Sequence, residues 1–256
     1  MTQGPKIAVC AARYAGYEVM SFIRDYPFPI DFAVTSHQDQ SEYEKRISDI
    51  CHDGDIECFR GIDVNDGDFV RLLREREIDL VVLAWWPSIV SKEAIEAVNI
   101  GWVNMHPSLL PYGRGKHPYY WSIVENNPFG VTLHFINERI DEGDILIQKE
   151  ISVSISDTGE TLYKKAVEAN IRLFKDFYPK MVALQIKPVA QSAAQATFHW
   201  AKDIDEHSRI DLGKDYKALD LINIIRGRTF IHGDSAFFMH GGKKFLIKAI
   251  IEEVDQ

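Results

Sequence analysis

Cysteine is scarce: the 256 residues contain only Cys10, Cys51 and Cys58. That is too few for a disulfide scaffold and fits a reducing compartment, so a cytoplasmic location is expected. No segment approaches the roughly 18 uninterrupted apolar residues that a membrane-spanning helix needs. The opening MTQGPKIAVCAARYAG places a charge inside a short apolar run and then polar breaks, unlike a signal peptide. Basic residues are outnumbered, 29 against 38 acidic ones, for a formal charge of -9. This argues against nonspecific binding to nucleic acid, although a local basic pocket remains open. Glycine is sparse where a phosphate loop would need it. The turn CAARYAGYE holds only Gly16 and matches neither GxGxxG nor GxxxxGK[ST]. There is no internal repeat and no low-complexity tract.

What is present is an alternation of apolar runs and amphipathic stretches. KIAVCA (6–11) reads as a first strand, 14–24 as a helix ending before Pro27, and 30–35 as a second strand followed by a polar stretch. A helix is expected over 69–77. LVVLAW (80–85) is the continuous apolar run of a central parallel strand. Ser91 is placed to cap the next helix, and 102–105 is a short strand. After it come a helix at 119–125 and strands at 130–136 and 145–153. A capping box is read from Asp157 to Glu160, leading a helix whose Leu162, Ala166, Ala169, Leu173 and Phe177 should face the sheet. This order predicts an α/β fold with a mostly parallel sheet. Composition shifts at 186–197, read as a linker. Beyond it a helix at 216–226 and a hairpin or pair of short strands across His240-Gly241-Gly242 form a small extension. The expected division is a domain at 1–185 and a linker with a C-terminal α/β extension at 186–256.

The chemistry concentrates in VNMHPSLLPYGRGKHP (103–118). Asn104 and His106 are two apart, so on a strand they share a face at its carboxyl end, where such sheets bind ligands. Pro107 ends the strand and a turn-rich loop follows. Downstream, DEGD offers Asp141 and Asp144. An aspartate bonded to one ring nitrogen of His106 would fix its tautomer, and the Asp-x-Gly turn favours Asp141. No protein nucleophile accompanies this set. Ser108 lacks a GxSxG context, and Cys10 has no basic neighbour in sequence. The nucleophile is therefore expected to be a substrate amine, with Asn104 donating to a developing oxyanion and His106 handling the proton. The cluster CHDGDIEC (51–58) matches no familiar zinc spacing and reads as a turn, so no metal is expected.

Asn104-Met105-His106-Pro107-Ser108-Leu109-Leu110-Pro111, GVTLHF (130–135) and Asp141-Glu142-Gly143 together resemble the folate-dependent N-formyltransferase family, over about residues 5–180. The resemblance implies a Rossmann-like three-layer core with 10-formyltetrahydrofolate as formyl donor, and Asn104, His106 and Asp141 as catalytic residues. It implies a donor cleft bordered by Trp85, Trp86, Pro87, Ile89 and Val90 on one loop. Asn137, Ile140, Gly143 and Asp144 border it on another. The pair of tryptophans departs from the smaller or single-aromatic loop common in the family. On the acceptor side the resemblance points to Ala12, Arg13, Tyr112, Arg114, Lys116 and Tyr119. Arg226, Arg228 and Phe230 would meet a nucleotide or a dimer partner.

Three acceptors compete. Glycinamide ribonucleotide enzymes have a glycine-rich loop that CAARYAG lacks. Methionyl-tRNA enzymes share YGRG and the later HSRIDLG (207–213), but have a larger C-terminal domain and a basic surface. Enzymes that formylate nucleotide-linked amino sugars have a compact extension, and their layout fits best. That reading implies a homodimer acting on a dTDP- or GDP-linked amino sugar, of the kind used in lipopolysaccharide O-antigen biosynthesis, with no stable nucleic-acid or membrane partner. A noncatalytic binding domain on the same fold is a further alternative.

Overall fold

The computed structural model describes residues 4–36 and 42–254. The chain forms two compact units, each discontinuous in sequence. One comprises Met1–His106, Thr132–Gln148 and Asn170–Gln191, and the other Pro107–Val131, Lys149–Ala169 and Ser192–Gln256.

The first unit begins with β1 (Ile7–Ala11), buried throughout, and α1 (Arg13–Arg24). Ala15, Gly16, Val19, Met20 and Ile23 recur at helical spacing on its inner face. Gly16 is required by packing rather than by phosphate: a Cβ there would stand 2.9 Å from the Ala11 carbonyl carbon. β2 (Phe32–Ser36), α2 (Glu42–Asp53) and β3 (Cys58–Ile62) follow. Neither α2 nor β3 was expected from the polar sequence. Part of that stretch, residues 37–41, lies outside the described residues. In α2 a thin stripe of Ile47, Ile50 and Cys51 suffices to bury one face, and the CHD of CHDGDIEC is its last turn.

α3 (Gly67–Glu75) is capped by Asp66, whose carboxylate accepts from Asp68 N at 2.8 Å. After β4 (Leu80–Ala84), Ser91 caps α4 (Lys92–Ile95) as expected, but the helix lasts a single turn. β5 (Gly101–His106) carries the strand one residue further than expected, so that it includes His106 itself.

The chain then makes β6 (Arg114–Gly115) and α5 (Pro118–Val124). Next come β7 (Gly130–Phe135), β8 (Ile145–Glu150) and α6 (Gly159–Val182). In α6, Leu162, Ala166, Leu173 and Phe177 are buried as their spacing predicts, while Ala169 is half-buried and Asn170 is fully buried. The cap differs from the expected one. Thr158, not Asp157, accepts from the backbone N–H of Thr161, at 3.3 Å. Asp157 instead binds Ser154 N at 2.7 Å and Lys165 Nζ at 2.7 Å.

The sheet has seven strands in the order β3-β2-β1-β4-β5-β7-β8. β1, β2, β3, β4 and β5 pair in parallel, and β7 runs antiparallel to β5. Alternate residues Ala8, Cys10, Val81 and Leu83 meet Phe69, Leu73 and Ala94 in a core on one face. Ile7 and Val9 point to the opposite face by strand alternation. There α1 meets α6, with Phe22 edge-on to Phe174 at 6.4 Å and to Tyr178 at 5.8 Å.

In the second unit, β9 (Phe198–His199) pairs with β6, and α7 (Asp203–His207) brings Ile204 against Tyr120 and Trp121. α8 (Ala218–Gly227) packs Ile224 with Ile210 and Ala236. β10 (Ala236–His240) and β11 (Lys243–Ile247) form the expected antiparallel hairpin. Among the described residues, no helix is long and apolar enough to cross a membrane.

Candidate active site

The carboxyl ends of β1, β4 and β5 come together in the first unit. Ala12 N donates to Ala84 O at 3.0 Å, and Leu83 stands opposite Asn104 in the β4–β5 register. Antiparallel pairing of β5 with β7 then sets Asn104 opposite His134 and His106 opposite Thr132. The loop after β7 returns Asp141 to the same place. Its Oδ1 lies 3.5 Å from His106 Nδ1 and 3.6 Å from His134 Nε2.

The expected trio of Asn104, His106 and Asp141 is therefore assembled, and a fourth side chain, His134, joins it. His134 is fully buried. Its Nδ1 is 2.7 Å from the Phe135 carbonyl, which can only accept, so Nδ1 carries the hydrogen. Nε2 then keeps a lone pair and accepts from Asn104 Nδ2 at 3.2 Å. His134 lies inside the GVTLHF strand, but nothing local in that motif assigns it this contact. Only the cross-strand register, Asn104 to His134, reveals it. The ring of His106 stands edge-on to that of His134, centroids 6.0 Å apart.

Two supports were also invisible in sequence. Gln191, in the segment read as a linker, donates through Nε2 to the carbonyls of Asp141 at 2.8 Å and Gly143 at 2.7 Å. Asn65 holds the loop after β4 from both ends of its amide. It donates to Ile89 O at 2.9 Å and accepts from Ser91 N at 2.6 Å.

The remaining residues singled out from sequence fall into distinct settings. Asp141 has a left-handed backbone, φ 54°, and Gly143 is obligatory because a Cβ there would land on the Phe135 carbonyl oxygen. The loop is closed by Phe135 N donating to Asp144 O at 2.9 Å and by Asn137 Oδ1 accepting from Arg139 N at 2.9 Å. Asp144 and Asn137 are exposed and Ile140 is half-buried. On the other loop, Trp85 is also left-handed, φ 60°. Trp86 and Val90 pack into the core beside Phe69 and Trp102, whereas Ile89 is 72% exposed and Pro87 half-buried.

Ala12 is buried and Arg13 exposed at the start of α1. In the second unit, Arg114 is buried, Lys116 exposed, and Tyr112 and Tyr119 half-buried. Burial raises the Tyr119 phenol to about 12. Arg226 is built into that unit's own framework, donating to the carbonyls of Ser154 and Asp157 at 3.0 and 2.7 Å. Arg228 is paired with Asp205 and Asp234, and Phe230 stacks edge-on to Tyr119 at 5.5 Å.

Chemically, the first unit offers an amide N–H, an imidazole with a carboxylate at its far nitrogen, and no serine or cysteine among the four groups. This suits proton handling beside a carbonyl attacked by an external nucleophile. The same His106, His134 and Asp141 also present three metal-ligand atoms within 4.8 Å of one another.

Residues 32–177 match the family model described as formyl transferase, and residues 203–253 match an N-formyltransferase dimerization C-terminal domain. The methionyl-tRNA formyltransferase of Bacillus cereus (strain B4264) is 30% identical over 216 residues, covering 83% of this chain and 65% of that protein. Across such curated relatives the chain spans from 39% to 65% of their length. A 4-N formyltransferase from Francisella tularensis shares the fold with a TM-score of 0.83 at 21% identity, over 98% of this chain and 99% of that one. So does an N-formyltransferase from Helicobacter canadensis, solved with folinic acid and dTDP-3-aminofucose, with a TM-score of 0.71 at 19% identity over 96% of each chain. The family match takes in more than half of the sequence and contains all four site residues: this chain belongs to the formyl transferase family.

Proposed function

We propose that the protein is a cytoplasmic N-formyltransferase that moves the formyl group of 10-formyltetrahydrofolate to the primary amine of a nucleotide-linked amino-deoxysugar. The observation that carries the reaction is the meeting of Asn104, His106 and Asp141 in one place, with no serine or cysteine among the groups in contact there. The neutral amine attacks the formyl carbon. Asn104 Nδ2 has two hydrogens; one goes to His134, and the other is available to the developing oxyanion. His106 takes the proton that the amine loses, with Asp141 holding its Nδ1 side. Collapse breaks the bond from the formyl carbon to N10, which takes up a proton, leaving the formamide and tetrahydrofolate. No metal enters this scheme.

The donor fits the residues present. Exposed Ile89 and half-buried Trp85 and Pro87 offer an apolar wall, and the exposed Asp144 carboxylate can accept from ring N–H groups of a pterin. Arg13, exposed beside the end of β4, is the proposed partner of an acceptor phosphate.

The sugar acceptor is supported by likeness along nearly the whole chain to the Helicobacter enzyme solved with dTDP-3-aminofucose, and by the short C-terminal match. That match and the exposed Met239, Phe245 and Leu246 of the hairpin support a homodimer. A second reading, formylation of methionyl-tRNA, is favoured by the 30% identity to the Bacillus enzyme. The deciding experiment is a panel of dTDP-, GDP- and UDP-linked amino sugars, including O-antigen precursors, alongside charged initiator tRNA, each with 10-formyltetrahydrofolate and product mass as readout. A formylated sugar is expected, with turnover cut on the order of 10²–10³ in folded His106→Ala. Formylation of the tRNA alone would reverse the choice of acceptor, and near-native transfer by His106→Ala would reject the mechanism.

A further inference from the structure

The proposed transfer uses one imidazole and one carboxylate, yet the first unit assembles a second imidazole on the same carboxylate oxygen. His106 Nδ1 and His134 Nε2 stand 3.5 and 3.6 Å from Asp141 Oδ1. A tetrahedral ion with bonds of roughly 2.0–2.1 Å holds its ligands about 3.3–3.4 Å apart. Both distances to Asp141 Oδ1 are close to that spacing, and the three ligand atoms lie within 4.8 Å of one another, so closing on one ion draws the two rings together. The tautomer of His134 is an independent indication. Its Nδ1–H is held by the Phe135 carbonyl at 2.7 Å, which leaves Nε2 unprotonated, 3.2 Å from Asn104 Nδ2 and 3.6 Å from Asp141 Oδ1. Metal-ligating histidines are oriented in this way, with the far N–H on a backbone carbonyl or carboxylate. The site is confined: the His106 and His134 side chains are 6% and 0% exposed, and Asp141 is 12% exposed. Two nitrogens and one oxygen suit Zn²⁺ and its neighbours rather than Mg²⁺ or Ca²⁺, which prefer all-oxygen shells.

We infer that His106, His134 and Asp141 form a binding site for a Zn²⁺-class divalent ion, and that its occupancy shuts off the enzyme. The ion takes His106 Nδ1 and Asp141 Oδ1, breaking the contact that orients the His106 ring for the proton step, and it displaces the Asn104 hydrogen bond from His134. The inhibitory half rests on the proposed formyl transfer; the binding half does not.

Binding is read on the chelator-stripped full chain by calorimetric titration with ZnCl₂ and by the visible spectrum with Co²⁺. One ion per chain is expected, with the intense ligand-field band of four- or five-coordinate Co²⁺. His134→Gln and Asp141→Asn, each checked for folding by thermal melting, should each weaken binding on the order of tenfold or more. A Cys51→Ser/Cys58→Ser protein should bind as tightly as the parent, which separates this site from the free thiols of Cys51 and Cys58. Absence of binding at millimolar Zn²⁺, or unchanged affinity in both folded site variants, would overturn the site. With an active acceptor, Zn²⁺ should inhibit transfer at the concentration at which it binds, and EDTA should restore it; full transfer with the site occupied would overturn the inhibition. If no acceptor is formylated, the calorimetry and Co²⁺ spectra still decide the binding.

Discussion

A lone pair on His134 decides which way the Asn104 amide points. Because the Phe135 carbonyl claims Nδ1–H, Nε2 must accept, and the Asn104 NH₂ rather than its oxygen faces the histidine. In the proposed transfer His134 is therefore a positioning residue. His134→Gln can keep an acceptor near Asn104, whereas His134→Leu cannot. The leucine variant should lose kcat on the order of tenfold to a hundredfold with KM for the donor little changed, and the glutamine variant should recover part of it. Equal losses in both, or a loss confined to KM, would contradict this role. Gly143 makes a different kind of point. The motif residue looks like turn chemistry, but its lack of a Cβ is what lets the backbone lie against the Phe135 carbonyl. Gly143→Ala should destabilise by about 1–3 kcal/mol, as overpacking does, measured by urea unfolding, and should displace Asp141 enough to depress turnover.

At the scale of elements, the two loops beside the site are held by side chains distant in sequence. Gln191 ties two carbonyls of the acidic loop, and Asn65 ties the loop after β4. Gln191→Ala should speed amide hydrogen exchange across 137–144 while leaving exchange in β1 and β4 unchanged; unaltered exchange in the loop would remove Gln191 from this role. The segment around Gln191 looks like a linker because its Pro, Ala, Gln and Ser have no periodicity. Its purpose depends on carbonyls some fifty positions away, which no local pattern encodes. The same applies to α2, whose three buried residues form too thin a stripe to stand out among charges. By contrast β1, β4, β5 and β7 were legible. Burial on both faces of an inner strand gives β1 and β4 their continuous apolar runs, and β5 and β7 keep short apolar stretches around their polar residues. The cap of α6 was misplaced by one residue because Asp157 and Thr158 are both good caps, and only the Lys165 ion pair draws Asp157 away. Thr158→Ala should cost about 1 kcal/mol, measured by thermal melting.

Over the molecule as a whole, acidity should loosen the second unit first near neutrality. Burial, reinforced for His117 by Arg228, pushes the pKa values of His117 and His207 below the usual histidine value. The unfolded chain then binds protons more readily than the folded one once pH falls below about 6.5. Stability from these groups is present above that value and lost as pH drops through the lowered folded values. Asp157 and Glu160, held below the ordinary carboxylate range, extend the loss at lower pH. For Asp157, burial pushes upward but is outweighed by Lys165 and the Ser154 N–H; for Glu160 the main cause is Lys164. The urea midpoint should fall between about pH 7.5 and 5.5; a flat or rising midpoint would show that the two histidines titrate alike in both states. The proposed dimer belongs to this scale too. Leu246 is 63% exposed on the hairpin, and Leu246→Asp should lower the mass measured by light scattering if that face joins two copies. A boundary at 185/186, proposed from composition, follows chain order, whereas the compact units interleave along it.

By itself the sequence determined the class of fold, the family, and the trio Asn104, His106 and Asp141 proposed to react. Apolar runs, a proline-terminated strand and the spacing of Asn104, His106 and Asp141 are all local facts. What only the tertiary structure decided is how those groups are aimed. The antiparallel return of β7 brings His134 to Asn104, and Gln191 and Asn65 arrive from remote segments to brace the loops. Gly143 is forced by one carbonyl. Each of these depends on a distance between residues far apart along the chain, and such distances exist only once the strands have paired.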